Sequence, residues 1–406
     1  MTVDKTTKDT SGFGSFPDTT RRIAMRRRLL RKITVMLAAG LVAVSLAGCS
    51  DNGGGGSDDE VLMGGLWATS GAQAVYGDYM SNGSGLAVKD INAEGGIGGE
   101  VPLRLEVKDT QALPEPAVSA FQKLVGDGAK FVLSSFSSQT LALMPIANSR
   151  HIPVVNGGAQ SDALGEQGKY LLNTIPLLAN ESDVLAKYLH DEEGYSKAAI
   201  IYTSDDGGKA ARDDFKKAFT AEGGQVIAEE SGEFQGTDYR SQLTKLRGSG
   251  ADVLLIGAFG QDTNNIVSQV REVGWDVPMA NTSWVAIPEV LKNPAAEGLI
   301  LTSIPFNPEP AFVERYKKEY GVEPESHFVG NYYDAVMVLA EGYAKASEET
   351  SDPSGDDIIA AIHEIGTFDS VYGSPLTFEN GVASRPINIG VIKDGAVETL
   401  VENYGK

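Results

Sequence analysis

The sequence predicts an α/β protein built as two doubly wound lobes, each with a parallel sheet covered by helices. From residue 61 onward, short apolar runs alternate with longer amphipathic ones, the pattern of strands and helices joined by right-handed crossovers. Roughly 345 residues follow that point, more than one hydrophobic core usually takes. The sequence contains at least ten strand candidates, which is enough for two sheets.

The elements are predicted from apolar periodicity and from flanking turn residues. The strand candidates are 61–67, 101–107, 131–134, 153–155, 198–202, 225–228, 253–256, 299–302, 376–378 and 387–392. The helix candidates are 76–94, 116–125, 141–149, 181–192, 209–221, 239–247, 263–273, 310–320 and 329–346. Pro114 and Pro116 favour a helix start, and Gly95 with Gly96 favours a helix end. Because open α/β sheets bind ligands at the carboxyl ends of their strands, we expect a site in the crevice between the lobes.

Composition and charge exclude several classes of function. The 406 residues are 22% charged and 42% hydrophobic, which is typical of a globular protein and not of a channel. A formal net charge of −21 should repel phosphate backbones, so we expect no nucleic-acid partner. A single cysteine excludes a disulfide framework and a Cys-based zinc cluster.

Catalytic and cofactor motifs are missing from the sequence. No Gly-x-Ser-x-Gly elbow occurs, and neither Gly168-Lys169 nor Gly208-Lys209 has the spacing of a phosphate-binding loop. The four histidines lie on different predicted elements, where each is expected at the surface or hydrogen bonded. We therefore expect no enzyme activity, no cofactor and no metal.

The first 60 residues predict export and a membrane anchor. A basic run from Arg26 to Lys32 precedes 16 uncharged residues, too few for a spanning helix, as in a secretion signal. The signal ends in Leu46-Ala47-Gly48-Cys49, which is similar to the bacterial lipobox, whose cysteine is diacylated and becomes the first residue. Residues 1–48 are thus predicted to be a signal and 49–60 a lipidated, glycine-rich spacer that tethers the protein to the membrane.

The sequence alone does not decide three points about this segment. Met25 is an alternative start, because residues 1–24 are polar and lack hydrophobic periodicity. The pair Arg26-Arg27 is compatible with twin-arginine export as well as with the general route. An N-terminal membrane helix with an incidental cysteine is the less favoured alternative to lipidation.

The body of the chain resembles the branched-chain amino-acid (Leu/Ile/Val) binding family of type I periplasmic substrate-binding proteins, which serve ABC importers. The likeness runs from about Val61 to Lys393. It is carried by segments that occur in this order: Thr69-Ser70-Gly71, Tyr76-Gly77, Asp90 to Ile97, Ala117-Val118, Lys123-Leu124-Val125, Ser134 to Thr140, Ile152-Pro153-Val154, Lys197 to Tyr202, Gly321-Val322-Glu323-Pro324 and Tyr333-Asp334-Ala335.

The resemblance implies two lobes joined by three hinge crossings that close on a solute like a flytrap. The crossings are expected near 174–178, 303–306 and 373–378. Lobe one would then comprise 61–175 plus 305–373, and lobe two 176–304 plus 374–406. The implied partners are a small-molecule ligand, an ABC permease and its ATPase subunits.

The resemblance also implies a set of ligand-binding residues. Ser137, with Ser138 beside it, matches the serine that holds the ligand carboxylate in the family; on the residues alone, both could instead be helix caps. Gly158 and Gln160 match the next contact segment, where the family's threonine is absent. Thr282 stands near the position of the acid that pairs with the ligand ammonium group, so that charge would have to come from Asp205, Asp206 or Asp262. These three acids are otherwise interpreted as exposed helix starts.

Aromatic side chains complete the predicted site. Tyr76 matches a position that packs on the ligand side chain in the family, and six others fall at strand ends or just beyond them: Trp67, Phe136, Tyr202, Phe259, Trp284 and Tyr332. Core packing is the alternative explanation for each of them. Their number predicts a pocket more apolar than ionic.

The sequence therefore predicts an extracytoplasmic lipoprotein that delivers a branched-chain amino acid, an amide or an aromatic acid to an ABC permease. A ligand-sensing receptor subunit of similar fold without a transport role is the alternative. An enzyme on the same scaffold is disfavoured, because no set of nucleophile, base and orienting residue is present.

Overall fold

Two mixed sheets flanked by helices form the part of the chain that the computed structural model describes, residues 60–404. The predicted signal, Cys49 and the spacer up to residue 59 lie outside these residues. We call the part built on the eight-stranded sheet lobe one and the part built on the seven-stranded sheet lobe two. The predicted two-lobe α/β architecture is confirmed.

Each sheet has a core of five parallel strands. The strands of lobe one are β1 Val61–Trp67, β2 Leu103–Asp109, β3 Phe131–Ser134, β4 Val154–Asn156, β5 Leu171–Asn173, β11 Thr367–Phe368, β12 Leu376–Glu379 and β13 Val382–Ala383, in the spatial order β11-β12-β13-β5-β4-β3-β1-β2. Those of lobe two are β6 Lys197–Thr203, β7 Gln225–Gly232, β8 Val253–Gly257, β9 Met279–Asn281, β10 Ile300–Ser303, β14 Asn388–Lys393 and β15 Ala396–Val401, in the order β15-β14-β10-β9-β8-β6-β7. The parallel strands thus follow one another in the same pattern in both lobes, with the order reversing beside β1 and β6.

The helices cover the sheets and connect their strands. They are α1 Ala74–Ala93, α2 Pro114–Gly126, α3 Ser137–Arg150, α4 Leu178–Asp191, α5 Asp206–Ala221, α6 Arg240–Arg247, α7 Gly260–Glu272, α8 Pro288–Leu291, α9 Pro310–Tyr320, α10 His327–Ala346 and α11 Gly355–Ile365. As predicted, Pro114 opens α2, and Gly95 follows α1 with φ 101°. Within residues 60–404 no helix has the length and apolar character needed to span a membrane.

Most predicted elements are present, and the missed ones are short or lie late in the chain. Strands β5 and β9 have three residues each, too few to show a periodicity. Helix α11 was not predicted, although Ser354 and Asp357 form a capping box at its start.

The predicted third crossing at 373–378 is wrong. Strand β12 pairs with β13, and β13 pairs with β5, so both belong to the sheet of lobe one. Asn380 and Gly381 have φ 51° and 77° and join the two strands in a tight hairpin, as an Asn-Gly pair favours. The chain therefore enters lobe two after Ala383, between this hairpin and β14.

A buried ion pair holds this last crossing in place. The Arg385 guanidinium donates to an Asp334 oxygen at 2.8 Å and to the Thr174 carbonyl oxygen at 3.0 Å. Its charged plane also lies 3.7 Å from the centre of the Tyr372 ring. Since Thr174 follows β5, one side chain ties the first and third crossings together and binds both to α10.

His327, at the start of α10, differs from the expectation for the histidines. It is buried, and its Nε2 has no hydrogen-bond partner among residues 60–404. Burial, with a smaller effect from the nearby Arg385 charge, lowers the pKa of His327 to about 3. The imidazole is therefore neutral at pH 7.

Close packing of α1 against α10 brings two cleft residues together. A Cβ on Gly83 would lie 2.2 Å from the Val329 carbonyl oxygen, so a side chain there would separate the helices. This contact holds Tyr76 of α1 and Phe328 of α10 with their ring centroids 5.3 Å apart. Both rings face the cleft described below.

Replacing Arg385 with Met should lower the free energy of unfolding by about 3–5 kcal/mol, because the Asp334 carboxylate would be left buried without its cation. Urea unfolding at pH 7 measures the change. The matched control is Arg240→Met, which breaks an exposed pair with Glu272 and should cost less than about 1 kcal/mol. Equal losses in the two variants would contradict the assigned role of Arg385.

Candidate ligand-binding site

The carboxyl ends of the parallel strands in both lobes lead into one cavity. The space free of protein atoms there, with open solvent at its mouth included, is about 310 Å³. Lobe one contributes residues that follow β1, β3 and β4 together with one from α10, and lobe two contributes residues that follow β8 and β9. The lining residues are Tyr76, Met80, Phe136, Ser137, Gly158, Ala159, Phe259, Trp284 and Phe328. Residues far apart in sequence therefore meet where the topology of each sheet places a ligand.

Tyr76 connects the cavity wall to the contact between the lobes. Its hydroxyl donates to the Trp284 carbonyl oxygen at 2.9 Å and accepts from the Gly260 N–H at 2.9 Å. Burial raises the pKa of this phenol well above its ordinary value, so the hydroxyl keeps the proton that it donates. The same side chain thus lines the cavity in lobe one and binds two backbone groups of lobe two.

The turn before α3 carries the predicted carboxylate-binding element. Phe136 has φ 52° and ψ 133°, a conformation that side chains other than glycine seldom adopt. This backbone turns its ring into the cavity and starts α3 at Ser137. The positive end of the α3 dipole and its first free N–H groups therefore lie beside the cavity wall.

Buried polar contacts fix this turn against the sheet. Gln139 donates to the Leu66 carbonyl oxygen and to Ser135 Oγ, both at 2.9 Å, and accepts from Thr110 Oγ1 at 2.7 Å. Ser134 and Thr140 share a hydroxyl contact of 2.8 Å. These contacts hold a strained turn in a single geometry.

The two serines of α3 do not cap the helix, so the capping interpretation is wrong. Ser137 Oγ accepts from the Ser161 N–H at 3.3 Å, within lobe one. Ser138 Oγ accepts from the Asp206 N–H at 3.0 Å, across the cleft. Ser137 lines the cavity, whereas Ser138 helps to join the lobes.

Aromatic rings form most of the remaining wall. The ring centroids of Phe259 and Trp284 are 5.2 Å apart, and those of Phe136 and Phe259 are 6.0 Å apart. The Tyr76 ring meets Phe136 and Phe259 edge-on. None of the nine lining residues carries a charge. The cavity therefore suits an apolar body with one polar end directed at α3.

Three predicted aromatics lie outside the cavity wall. Trp67 is buried in the core, where its Nε1 donates to Ser81 Oγ at 2.8 Å. The Tyr332 hydroxyl donates to the Ser134 carbonyl oxygen, and its ring packs beneath Gly158. Tyr202 accepts from Arg212 at 3.1 Å on the flank of lobe two. Trp67 and Tyr332 thus support the wall from behind, as core packing predicts.

Gln160 and Thr282 lie at the contact between the lobes, beside the cavity and not in its wall. Gln160 Nε2 donates to the Pro176 carbonyl oxygen at 2.9 Å and to the Glu181 carboxylate. Glu181 also accepts from Ser283, through its N–H and its hydroxyl, and from Thr302. The Thr282 hydroxyl is buried and has no hydrogen-bond partner among residues 60–404. Glu181 is thus a buried acid that the sequence reasoning missed, and its oxygens are already occupied.

None of the three acids considered as counter-charges lines the cavity. Asp205 is half-buried and caps α5 by accepting from the Gly207 N–H at 3.0 Å. Asp206, also half-buried, contributes its backbone N–H to Ser138. Asp262 is 1% exposed, so its interpretation as an exposed helix start is wrong. An ammonium group in the cavity would have no carboxylate in the surrounding wall.

Met80, Ala159 and Phe328 line the cavity but were not predicted. Met80 lies one helical turn after Tyr76 and shares its face of α1, so the helical period could have indicated it. Ala159 lies between the predicted Gly158 and Gln160. Phe328 follows the Ser326 cap of α10, a start that the sequence reasoning placed two residues too late.

This arrangement is typical of proteins that bind a small molecule between two lobes, and the nine residues of the wall include no group of catalytic side chains. A family model of periplasmic binding proteins matches residues 60–396, and the chain belongs to this family. Its members are solute-binding proteins and not enzymes, and they act outside the cytoplasm. The resemblance found in the sequence is thereby confirmed.

The alignments with individual relatives cover most of the length of both proteins. The chain is 28% identical over 336 residues to Leu/Ile/Val-binding protein homolog 1 of Brucella suis biovar 1, which covers 80% of this chain and 88% of that protein. A leucine-binding protein from Thermotoga maritima has a similar fold, with a TM-score of 0.76, 21% identity, and coverage of 85% of this chain and 99% of that one. An ABC transporter solute-binding protein from R. palustris in complex with benzoate also gives a TM-score of 0.76, at 19% identity, covering 85% and 96%.

Because Phe136 adopts a positive φ, replacing it with Gly should be less destabilising than replacing it with Ala. Both variants lose the ring, but Gly relieves the backbone strain that Ala retains, which predicts a difference of about 1 kcal/mol in the free energy of unfolding. Urea unfolding of the two proteins measures it. The control is Phe131 in β3, whose backbone is extended, and there the Ala variant should be the more stable one. The same order of stability at both positions would contradict the strain assigned to Phe136.

Proposed function

We propose that this chain is the lipid-anchored solute receptor of an ABC importer, which closes its two lobes around a small solute and presents the closed form to the permease. The observation that carries the proposal is the cavity whose wall comes from both lobes and includes Tyr76. A solute that contacts both walls stabilises the closed form by its differential affinity for that form. Closure needs no chemistry at the solute.

The ligand proposed for the cavity is a small molecule with a carboxylate or carbonyl group and an apolar body. Ser137 and the start of α3 would receive the oxygen atoms, and Tyr76, Phe136, Phe259 and Trp284 would pack on the body. Gly158 would contribute backbone atoms. Ser138, Gln160 and Thr282 would act from the surrounding contact between the lobes.

Within the candidate ligands, the uncharged wall favours an aromatic acid or an amide over a free branched-chain amino acid. Burying an ammonium group without a carboxylate partner is costly. The relative from Brucella suis is named for Leu, Ile and Val, whereas the R. palustris structure contains benzoate. Both chemistries therefore belong in a screen.

The membrane anchor and the partners are part of the same proposal. Acylation of Cys49 would hold the mature chain at the membrane surface, and residues up to 60 would serve as the spacer. The alternative, a sensing subunit without a transport role, predicts no neighbouring genes for a permease and an ATPase. Their presence beside this gene would favour the importer.

A thermal-shift screen over amino acids, amides and aromatic acids should find a solute that raises the melting temperature. A ligand at a hundred times its dissociation constant adds about 2.7 kcal/mol of stability. Ser137→Ala combined with Tyr76→Ala should abolish binding of that solute, measured by isothermal titration calorimetry. The matched control combines Ser149→Ala with Tyr195→Ala, a pair outside the cavity wall. Wild-type affinity in the Ser137/Tyr76 variant, or no stabilising solute in the screen, would contradict the proposal.

Cys49→Ser should move the protein from the membrane pellet to the soluble fraction, because the acyl chains would have no attachment point. Cell fractionation with immunoblotting measures the distribution. The double variant Cys49→Ser with Ser50→Cys tests the position of the cysteine, since the motif requires a cysteine directly after Gly48. Retention of Cys49→Ser in the pellet would contradict acylation.

A further inference from the structure

A buried carboxyl group of lobe two contacts lobe one outside the cavity. Asp262 lies in the first turn of α7, and its Oδ2 accepts from Gln73 Nε2, in the segment before α1, at 2.8 Å. Its Oδ1 accepts from the Tyr239 hydroxyl. Gln73 is 0% exposed and Tyr239 is 1% exposed. The carboxyl group is therefore enclosed jointly by both lobes.

Among residues 60–404, no cation balances this carboxyl group. Within residues 60–404, Asp262 takes part in no ion pair, and the fully buried ion pair of that range joins Arg385 to Asp334 in another part of the molecule. The titratable groups that face Asp262 are the phenols of Tyr76 and Tyr239 and the carboxyl of Asp205 at the start of α5. Two of these are neutral and one is acidic, so none offsets a negative charge.

The surroundings favour the protonated form of Asp262. Burial raises its pKa to about 7, and the Asp205 charge adds to the rise. The hydrogen bond from Tyr239 and the backbone N–H groups of Gly236 and Gln235 oppose it. Gln73 can accommodate either form, because its amide can present nitrogen to a carboxylate or, after a half-turn, oxygen to a carboxylic acid. In the present arrangement its Oε1 has no hydrogen-bond partner among residues 60–404.

We infer that Asp262 is a positioning residue for closure: it binds Gln73 when the lobes meet, and the cleft closes with this carboxyl group protonated, so that closure takes up one proton. The inference rests on the proposed closure around a solute and adds a dependence on pH to it. Asp262 acts through the contact between the lobes and is not one of the nine residues that line the cavity.

The direction of the pH dependence follows from the two states. In an open cleft, Asp262 would separate from Gln73, and access of water would bring its pKa down towards the ordinary carboxyl value of about 3.9. In the closed cleft its pKa is about 7, so the closed form binds the proton more tightly. The equilibrium between the open and closed forms therefore shifts towards the closed form as pH falls from about 7 towards 4. Above pH 7 both forms are deprotonated, and protonation no longer stabilises the closed form. Between pH 8.5 and 5.5 this linkage strengthens closure by about 30-fold.

The test compares wild type with Asp262→Asn, an isosteric change that cannot titrate, in protein carrying Cys49→Ser. Small-angle X-ray scattering without ligand at pH 8.5 and 5.5 should show the wild type becoming more compact at the lower pH. Asp262→Asn should have the same radius of gyration at both. Asp238→Asn, which changes an exposed acid of lobe two, is the control and should respond as the wild type does.

Calorimetry with leucine and with benzoate, in buffers of different ionisation enthalpy, gives a second measurement. Binding should take up close to one proton at pH 5.5 and close to none at pH 8.5 in the wild type, and none in Asp262→Asn. Tyr239→Phe provides an independent variant. Loss of its hydroxyl should shift the pH midpoint of closure upward, because the hydroxyl stabilises the carboxylate.

The outcomes separate this inference from the proposed function. If wild type and Asp262→Asn show the same response to pH in scattering, or the same proton uptake, the inference is wrong even though a solute binds. If neither leucine nor benzoate binds, scattering without ligand still decides the role of Asp262. If Asp262→Asn does not fold, an unchanged pH midpoint in Tyr239→Phe overturns the inference.

Discussion

The hydroxyl group of Tyr76 is the contact on which the closed cleft depends. It belongs to α1 of lobe one, yet both of its hydrogen bonds go to the backbone of lobe two, at Trp284 and Gly260. Its ring forms part of the cavity wall, so the side chain that joins the lobes also borders the space between them. The close packing of α1 on α10, which the absence of a side chain at Gly83 allows, holds the Tyr76 ring against Phe328 at the cavity wall. Contact between the lobes and occupancy of the cavity are thus physically coupled through one side chain.

The site arises because the same strand order occurs in both lobes. In each sheet the order reverses beside its first parallel strand, and helices begin at the carboxyl ends of the strands next to that point. Lobe one supplies the start of α3 with its free N–H groups, and lobe two supplies the aromatic wall that follows β8 and β9. Neither lobe alone encloses the cavity, because its lining residues come from both. Around the cavity, polar contacts from Tyr76, Ser138, Gln160 and Gln73 cross between the lobes and hold them in this closed arrangement.

Much of this was predictable from the sequence, and the failures have specific causes. The alternation of apolar and amphipathic segments identified the fold class, and six of the predicted site residues line the cavity: Tyr76, Phe136, Ser137, Gly158, Phe259 and Trp284. Trp67 could not be separated from them, because a residue at a strand end can point to the core or to the cleft, and Tyr332 lies within α10 instead of at a strand end. Asp262 resembled an exposed helix start, since burial by the opposite lobe leaves no local pattern. The third crossing was misplaced because the hairpin at Asn380-Gly381 went unrecognised, although that pair is a strong hairpin signal.

The central claim is that a solute occupies the cavity and that both lobes contact it at once. The most direct measurement is a crystal structure of the protein with the most stabilising solute of the screen. We expect density for the solute between the Ser137 end of α3 and the rings of Phe259 and Trp284, with the Tyr76 hydroxyl still bound to lobe two. Density for the solute at any other place, or contacts to one lobe alone, would contradict it.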